Sequence, residues 1–337
     1  MVAAMKAIVM NRVAPLADNP VEYRDFEDPV IGPSEVLVRV TACGVCHSNI
    51  HLIEGDLRKW GLPARLPLIP GHEVVGVVAD VGREVKDVKP GQKVGISVIW
   101  ETCRTCEYCL SGDENLCPER KISGEGVDGG YAEYMKAPHD FVYPIPDGLK
   151  DVDAATLFCP GVTAYRAIER ANIQQGENVM VIGIGGVGHF SVQFAKLKGA
   201  KVTAVDVSEA QLNLAREVGA DEAVLSGVAE EFTKSDKPTK VIMHTPAQAA
   251  LDLATRVVKN RGTILMAVFG TVLVGFGGEV SIVTSMAGSK KDIAGVLELA
   301  SQGKVRVKAT AYPLSQGVEV LKKLNRGEVI GRAVLVP

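Results

Sequence analysis

Val179-Met-Val-Ile-Gly183-Ile-Gly185-Gly-Val-Gly188 is the stretch that decides the fold. Four apolar residues ending on a glycine read as a buried strand, and residues 187–198 continue as an apolar-faced helix. The glycines between them form G-x-G-x-x-G. In that pattern the first permits a tight turn, the second lets backbone approach a pyrophosphate, and the third allows close helix–strand contact. The helix N-terminus then offers unpaired N–H groups to phosphate. Alone the pattern is weak. Here Asp206 ends the next strand, eighteen positions beyond Gly188, where a carboxylate can accept hydrogen bonds from ribose hydroxyls. Val207, Ser208 and Glu209 follow it, with no adjacent Arg or Lys to receive a 2′-phosphate, so NAD is favoured over NADP.

Working outward, the chain after Asp151 alternates strands with helices. Strands are expected at 178–182, 201–206, 222–225, 241–244 and 263–269, and helices at 187–198, 208–218 (Ser208 as N-cap) and 246–259. That alternation marks a doubly wound parallel sheet. Before about residue 146 the texture differs. Short apolar or alternating runs at 6–10, 35–41, 74–81, 93–98 and 131–137 are broken by Gly and Pro, which suggests an all-β, barrel-like domain. The tail adds helices near 292–300 and 317–324 and a closing strand at 332–336.

A length of 337 residues suits about two domains, and 47% hydrophobic with 23% charged residues is ordinary globular composition. A net charge of -3 gives no electrostatic reason to bind nucleic acid. The long uncharged stretches 178–195 and 262–278 are interrupted by glycines, so they read as buried strand–turn segments rather than membrane spans. Residues 1–15 lack an apolar core and a small-residue cleavage site, which argues against secretion.

Six of the seven cysteines fall into two sets with metal-site character. Cys103, Cys106, Cys109 and Cys117, spaced Cys-x2-Cys-x2-Cys-x7-Cys, suffice for a closed tetrahedral thiolate cage holding zinc or, as the alternative, iron–sulfur. Their acidic neighbours Glu101, Glu107, Asp113 and Glu114 count against a nucleic-acid knuckle. Cys46, His72 and Cys159 are far apart; with water they make an open zinc site, though spacing alone leaves coincidence as a rival. Cysteines grouped in this way point to a reducing cytoplasm rather than a disulfide framework. Cys43 reads as a small buried residue, and His139, His189 and His244 as surface or packing residues.

Local context sharpens the open site. Cys43-Gly-Val-Cys46-His47-Ser48-Asn49-Ile-His51 is followed by Gly71-His72-Glu73-Val-Val-Gly76 and then by Leu157-Phe-Cys159-Pro-Gly161-Val-Thr163-Ala-Tyr165. With the four-cysteine lobe and the glycine fingerprint in the same order, these segments resemble the medium-chain zinc-dependent alcohol dehydrogenases over essentially the whole chain. The resemblance implies a GroES-like β-barrel catalytic domain (1–153 with 288–337) and a Rossmann NAD-binding domain (154–287), with the active site in the cleft between them. It implies catalytic zinc on Cys46, His72 and Cys159, Glu73 behind it as second-sphere or alternate ligand, and structural zinc on the four-cysteine lobe. By the same resemblance Ser48 receives the alcohol proton and His51 passes it to solvent through the cofactor ribose. His47 then faces the cofactor phosphates, Thr163 the nicotinamide and Arg332 the pyrophosphate. Trp60, Ile99 and Trp100 lie where the family lines its substrate pocket, with core packing the equal alternative.

Two residues depart from the family pattern. Asn49 stands where an Asp usually supports the histidine ligand, and an amide lacks the charge that raises ligand basicity. Gly91-Gln92 replaces the usual Gly-Asp. The expected activity is NAD-dependent oxidation of a primary or secondary alcohol to aldehyde or ketone, reversibly, by an enzyme carrying two zincs per chain. Rivals are a polyol, threonine or aryl-alcohol dehydrogenase on the same scaffold, a zinc-free quinone-reductase-type enzyme, and a non-catalytic NAD- and zinc-binding sensor. The expected partners are a small molecule and further copies of the chain, a tetramer before a dimer, with apolar strands at 263–269 and 280–286 able to pair across subunits. No nucleic-acid or membrane partner is expected.

Overall fold

The structure, a computed structural model, describes residues 4–337. Its contacts divide the chain into two compact units. The first contains residues up to Cys159 together with Ser289–Ser301 and Val307–Pro337; the second contains Pro160–Gly288 and Gln302–Arg306. The division thus falls after Cys159 rather than after residue 153. The short helix Asp151–Ala155 packs against the strands Glu35–Gly44 and Val74–Val81, which keeps it in the first unit.

In the first unit Glu35–Gly44 is the central strand, pairing antiparallel with Val74–Val81, with Tyr134–Pro138 and with the closing strand Arg332–Val336. Lys93–Ile96 and Val142–Pro144 extend one side, and Ala309–Pro313 the other. A hairpin of Ala4–Met10 and Val21–Glu27 stands apart as a separate sheet. Alternation along Glu35–Gly44 buries Val36, Val38 and Val40 in one apolar cluster with Ile8, Val74, Ile96 and Leu335. At 0.8 kcal/mol per buried methylene, roughly, such side chains each contribute about 1.5–3 kcal/mol. The all-β expectation misses two helices: the short Glu107–Ser111 and, beside the donor set, His47–Glu54, whose buried Asn49, Ile50, Leu52 and Ile53 follow a helical period. It stops at Gly55, which adopts a left-handed conformation.

The second unit is a six-stranded sheet, parallel throughout. Its order is Glu222–Leu225, Lys201–Asp206, Asn178–Ile182, Lys240–Met243, Thr263–Met266, Ser281–Thr284, which is 3-2-1-4-5-6 in chain order. Strand order reverses between Asn178–Ile182 and Lys240–Met243, and the glycine turn sits there: Gly183 lies against His244 and Thr245. Gly183 has φ +90°, and a Cβ on Gly188 would lie 1.9 Å from the Gly183 carbonyl oxygen. Both positions therefore require glycine. Helix Gly188–Leu197 follows, and helix Pro160–Ala171, absent from the sequence reading, precedes. Among the described residues, no helix is long and apolar enough to cross a membrane.

Candidate active site and metal centres

The first unit brings Cys46, His72, Glu73 and Cys159 together: one donor atom from each lies within 4.8 Å of all the others. Cys46 is the N-cap of helix His47–Glu54, His72 and Glu73 immediately precede strand Val74–Val81, and Cys159 follows the turn Thr156–Phe158. Ser97 fixes that turn by donating its hydroxyl to the Phe158 carbonyl at 2.6 Å. Two sulfurs on a tetrahedral zinc, each at about 2.3 Å, lie about 3.8 Å apart. Cys46 Sγ and Cys159 Sγ are 3.9 Å apart. His72 Nε2 and Glu73 Oε2 are buried without a hydrogen-bond partner, an arrangement that costs free energy unless something electrophilic sits between them.

Protonation agrees with that fit. The hydrogen bond from Cys159 holds Cys46 well below the usual thiol range, against burial, while the same contact pushes Cys159 well above it. The pair thus shares one proton, which a bound cation displaces. Burial alone lowers His72, but the Cys46 thiolate outweighs it and raises the imidazole to about 9. Burial lifts Glu73 to about 7 despite Arg332.

The four-cysteine lobe is equally well formed. Cys103, Cys106, Cys109 and Cys117 converge within the same limit. Sulfur separations of 3.9 Å (Cys103–Cys109), 3.5 Å (Cys106–Cys109) and 3.6 Å (Cys117–Cys103) bracket the tetrahedral value. Backbone N–H groups of Cys103 and Cys106 point at sulfur, as thiolate ligands require.

Ser48 and His51 share helix His47–Glu54 with the Cys46 cap. The Ser48 hydroxyl lies 3.4 Å from Cys46 Sγ, and His51 Nδ1 lies 2.6 Å from Asp56 Oδ2. Asn49 Nδ2 is 3.5 Å from His72 Nδ1, and its Oδ1 accepts the buried Tyr131 hydroxyl at 2.8 Å. His47 is exposed, with its ring 5.3 Å from that of His51. Arg332 has a partner the sequence did not suggest. It is 5% exposed, and its Nη2 donates to Glu73 Oε1 at 2.5 Å and to the Val45 carbonyl at 2.9 Å.

In the second unit Gly183, Gly185 and Gly188 form the turn described above. Asp206 accepts the Ile184 N–H at 2.7 Å and the Ser208 N–H at 2.9 Å, tying its carboxylate to the glycine turn. Ser208 stands at the N-cap, but its hydroxyl makes no capping bond. Thr163 is half-buried in helix Pro160–Ala171. The candidate pocket trio separates: Ile99 and Trp100 are buried, Trp100 donating to the Lys136 carbonyl at 3.0 Å, whereas Trp60 is 48% exposed. For Trp100, core packing is the observed role.

Comparison with known proteins agrees with this arrangement. Residues 32–147 match the model of the alcohol dehydrogenase GroES-like domain and residues 186–302 that of the zinc-binding dehydrogenases. The chain is 40% identical to an alcohol dehydrogenase of Geobacillus stearothermophilus over 98% of both. This chain belongs to the medium-chain zinc-dependent alcohol dehydrogenase family. The crystal structure of the Aeropyrum pernix alcohol dehydrogenase, 31% identical, superposes with a TM-score of 0.91 over 98% of this chain and all of that one. A solved NAD-dependent alcohol dehydrogenase, 30% identical, gives 0.89 over 99% and 100%. Within this family frame, Glu125 is a buried side chain that the sequence reading passed over. It is 6% exposed, and burial pushes its carboxyl up to about 7. An acidic residue between two glycines looks like an ordinary exposed turn, so its burial left no signal in the sequence.

Proposed function

We propose that the chain is an NAD-dependent zinc alcohol dehydrogenase that interconverts primary or secondary alcohols with aldehydes or ketones. The observation that carries this is the buried convergence of Cys46, His72, Glu73 and Cys159, with His72 Nε2 and Glu73 Oε2 left unsatisfied by protein. Cys46, His72 and Cys159 hold one zinc and the four-cysteine lobe a second. Zinc supplies Lewis acidity that lowers the pKa of a bound hydroxyl, and NAD accepts the hydride. The closed lobe has no position left for substrate and is structural.

The chain's own residues do the rest. Ser48 accepts the alcohol proton, and His51, oriented by Asp56, serves as an exit toward water. Glu73, anchored by Arg332, leaves its Oε2 facing the ligand set. Gly183, Gly185 and Gly188 present backbone N–H groups to the cofactor pyrophosphate, Asp206 takes the ribose hydroxyls, and His47, Thr163 and Arg332 contact the cofactor. The first unit is thus the catalytic domain and the second the NAD-binding domain.

Seven cysteines, none of them in a disulfide, suit a cytoplasmic location. Exposed Phe269, Leu273, Phe276 and Ile282, on and beside the edge strand Ser281–Thr284, support association of copies, which we assign as a homotetramer. Sedimentation at the monomer mass overturns that assignment. The deciding experiment is metal analysis together with an NAD-linked assay over short, branched and aromatic alcohols. Two zincs per chain with turnover is the expected result. His72→Ala is expected to abolish turnover and leave the fold; full activity in that variant refutes the reading.

A further inference from the structure

Glu114 is a carboxylate that the four-cysteine cage does not use. It stands on the turn leading into Cys117, yet it is only 7% exposed. Its Oε1 accepts the backbone N–H of Lys290, 176 positions along the chain. Lys290 opens the helix Lys290–Ser301, so that N–H is one of the donors a helix leaves without an internal partner. The adjoining Ser289 is satisfied within its own segment: its N–H and its hydroxyl both donate to Asp292 Oδ2, at 2.8 and 3.0 Å. The lobe thus supplies one cap and the helix the other. A carboxylate at a helix N-terminus is favoured further by the helix dipole.

The remaining links between lobe and helix are open to water. Lys291 Nζ lies 3.7 Å from Asp113 Oδ1, and Lys290 Nζ lies 3.5 Å from Asp140 Oδ2, an oxygen that Arg104 also holds at 2.9 Å. Solvent and salt screen such pairs, so they add little beside the buried Glu114 bond.

The helix leads on to the catalytic donors. Ile293, Val296, Leu297 and Ala300, at i, i+3, i+4 and i+7, form its buried stripe. It packs against the turn Thr156–Phe158, and Cys159 is the next residue. On the strand side, Ser97 pins the Phe158 carbonyl, and Phe158 sits so close to Gly95 that a Cβ there would lie 2.0 Å from its Cζ. Strand and helix together therefore set where the turn comes to rest, and Cys159 with it.

Resting on the two-zinc reading above, we propose that Glu114 is a positioning residue for the catalytic metal. Through the cap it places on helix Lys290–Ser301, the four-cysteine lobe sets where Cys159 stands. It thereby sets how firmly Cys46, His72 and Cys159 hold their zinc.

The test follows zinc rather than turnover. Each full-length chain is loaded with two zincs and mixed with excess chelator, and the release of each ion is timed. His72→Ala, which keeps the lobe zinc alone, identifies the phase belonging to the lobe. Glu114→Ala is expected to release the catalytic zinc about tenfold faster, the scale of groups that orient metal ligands. Lys290→Pro removes the same bond from the helix side, at a position where proline is tolerated, and should match it. Lys290→Ala keeps the N–H and loses only the exposed ammonium, while Glu114→Gln keeps an accepting oxygen. Both should stay within about threefold of the parent. Combining Glu114→Ala with Lys290→Pro should add less than about threefold to either alone, because one bond cannot be broken twice. Cobalt exchanged into the catalytic set should show shifted visible bands in Glu114→Ala, a signature that mere helix stabilisation would leave unmoved. Catalytic-zinc release within threefold of the parent in Lys290→Pro, unshifted cobalt bands, or losses that multiply in the double variant each overturn the proposal. A parent chain that holds fewer than two zincs overturns the two-zinc reading itself, a result separate from these.

Discussion

Arg332→Met isolates the energetic role of the ion pair behind the metal set. Arg332 and Glu73 are both buried, their charged atoms 2.5 Å apart, and Arg332 also donates to the Val45 carbonyl. At an effective dielectric of about 20 the attraction is about 6–7 kcal/mol. Removing the two charges from water offsets much of that, so the intact pair adds little net stability. Removing one partner is a different matter. Glu73 Oε1 is then buried without its guanidinium partner, an outcome that costs about 3–5 kcal/mol. For a unit of this size the loss corresponds to a fall in Tm of about 6–20 °C.

The chain's two tryptophans, Trp60 and Trp100, both lie in the first unit, so intrinsic fluorescence during urea unfolding reports that unit alone. The double variant Glu73→Gln with Arg332→Met replaces the stranded charge by a neutral amide and should recover about half of the loss. A single variant within about 1 kcal/mol of the parent, or a double variant worse than the single, refutes the argument that an uncompensated charge dominates the cost.

Three further outcomes follow from the geometry. Asn49→Asp should raise zinc affinity about tenfold in chelator competition, because a carboxylate on His72 Nδ1 increases ligand basicity; equal or weaker affinity counts against that. Cys117→Ser, at a fully buried ligand position, should remove one zinc per chain and expose residues 102–122 to protease, while a chain that keeps both zincs contradicts a four-thiolate cage. His244, held by burial at about 3 and 2.7 Å from Ser191 Oγ, should weaken the second unit in acid. Between about pH 6.5 and pH 3 the unfolded chain binds the extra proton, so stability is complete above pH 6.5 and is lost as pH falls, by up to about 5 kcal/mol. Hydrogen exchange across the six-stranded sheet should show a shallower acid decline in His244→Gln, and identical declines sink the assignment.

Legibility in the sequence tracks how locally each feature is determined. Phosphate recognition needs backbone at fixed offsets, so Gly183, Gly185 and Gly188 announce themselves within six residues, and the structure puts that turn where strand order reverses. The four-cysteine lobe is local in the same sense, since a tetrahedral cage closed by short loops needs short spacings. Cys46, His72 and Cys159 are not local: over a hundred residues separate the first from the last, and only the resemblance of their flanking segments joined them. The Arg332–Glu73 pair, 259 positions apart, left no trace, because burial of both charges depends on the closing strand returning beside Glu35–Gly44. Helix His47–Glu54 was missed for a related reason. Its N-cap is a cysteine, and no Ser, Thr, Asp or Asn marks the start. A residue in that position satisfies two demands at once, starting a helix and aiming a thiolate, and the second demand removes the residue types by which the first is usually recognised. Sequence rules for local structure therefore weaken where a side chain is committed to chemistry, and the departure at Cys46 is itself a marker of the site.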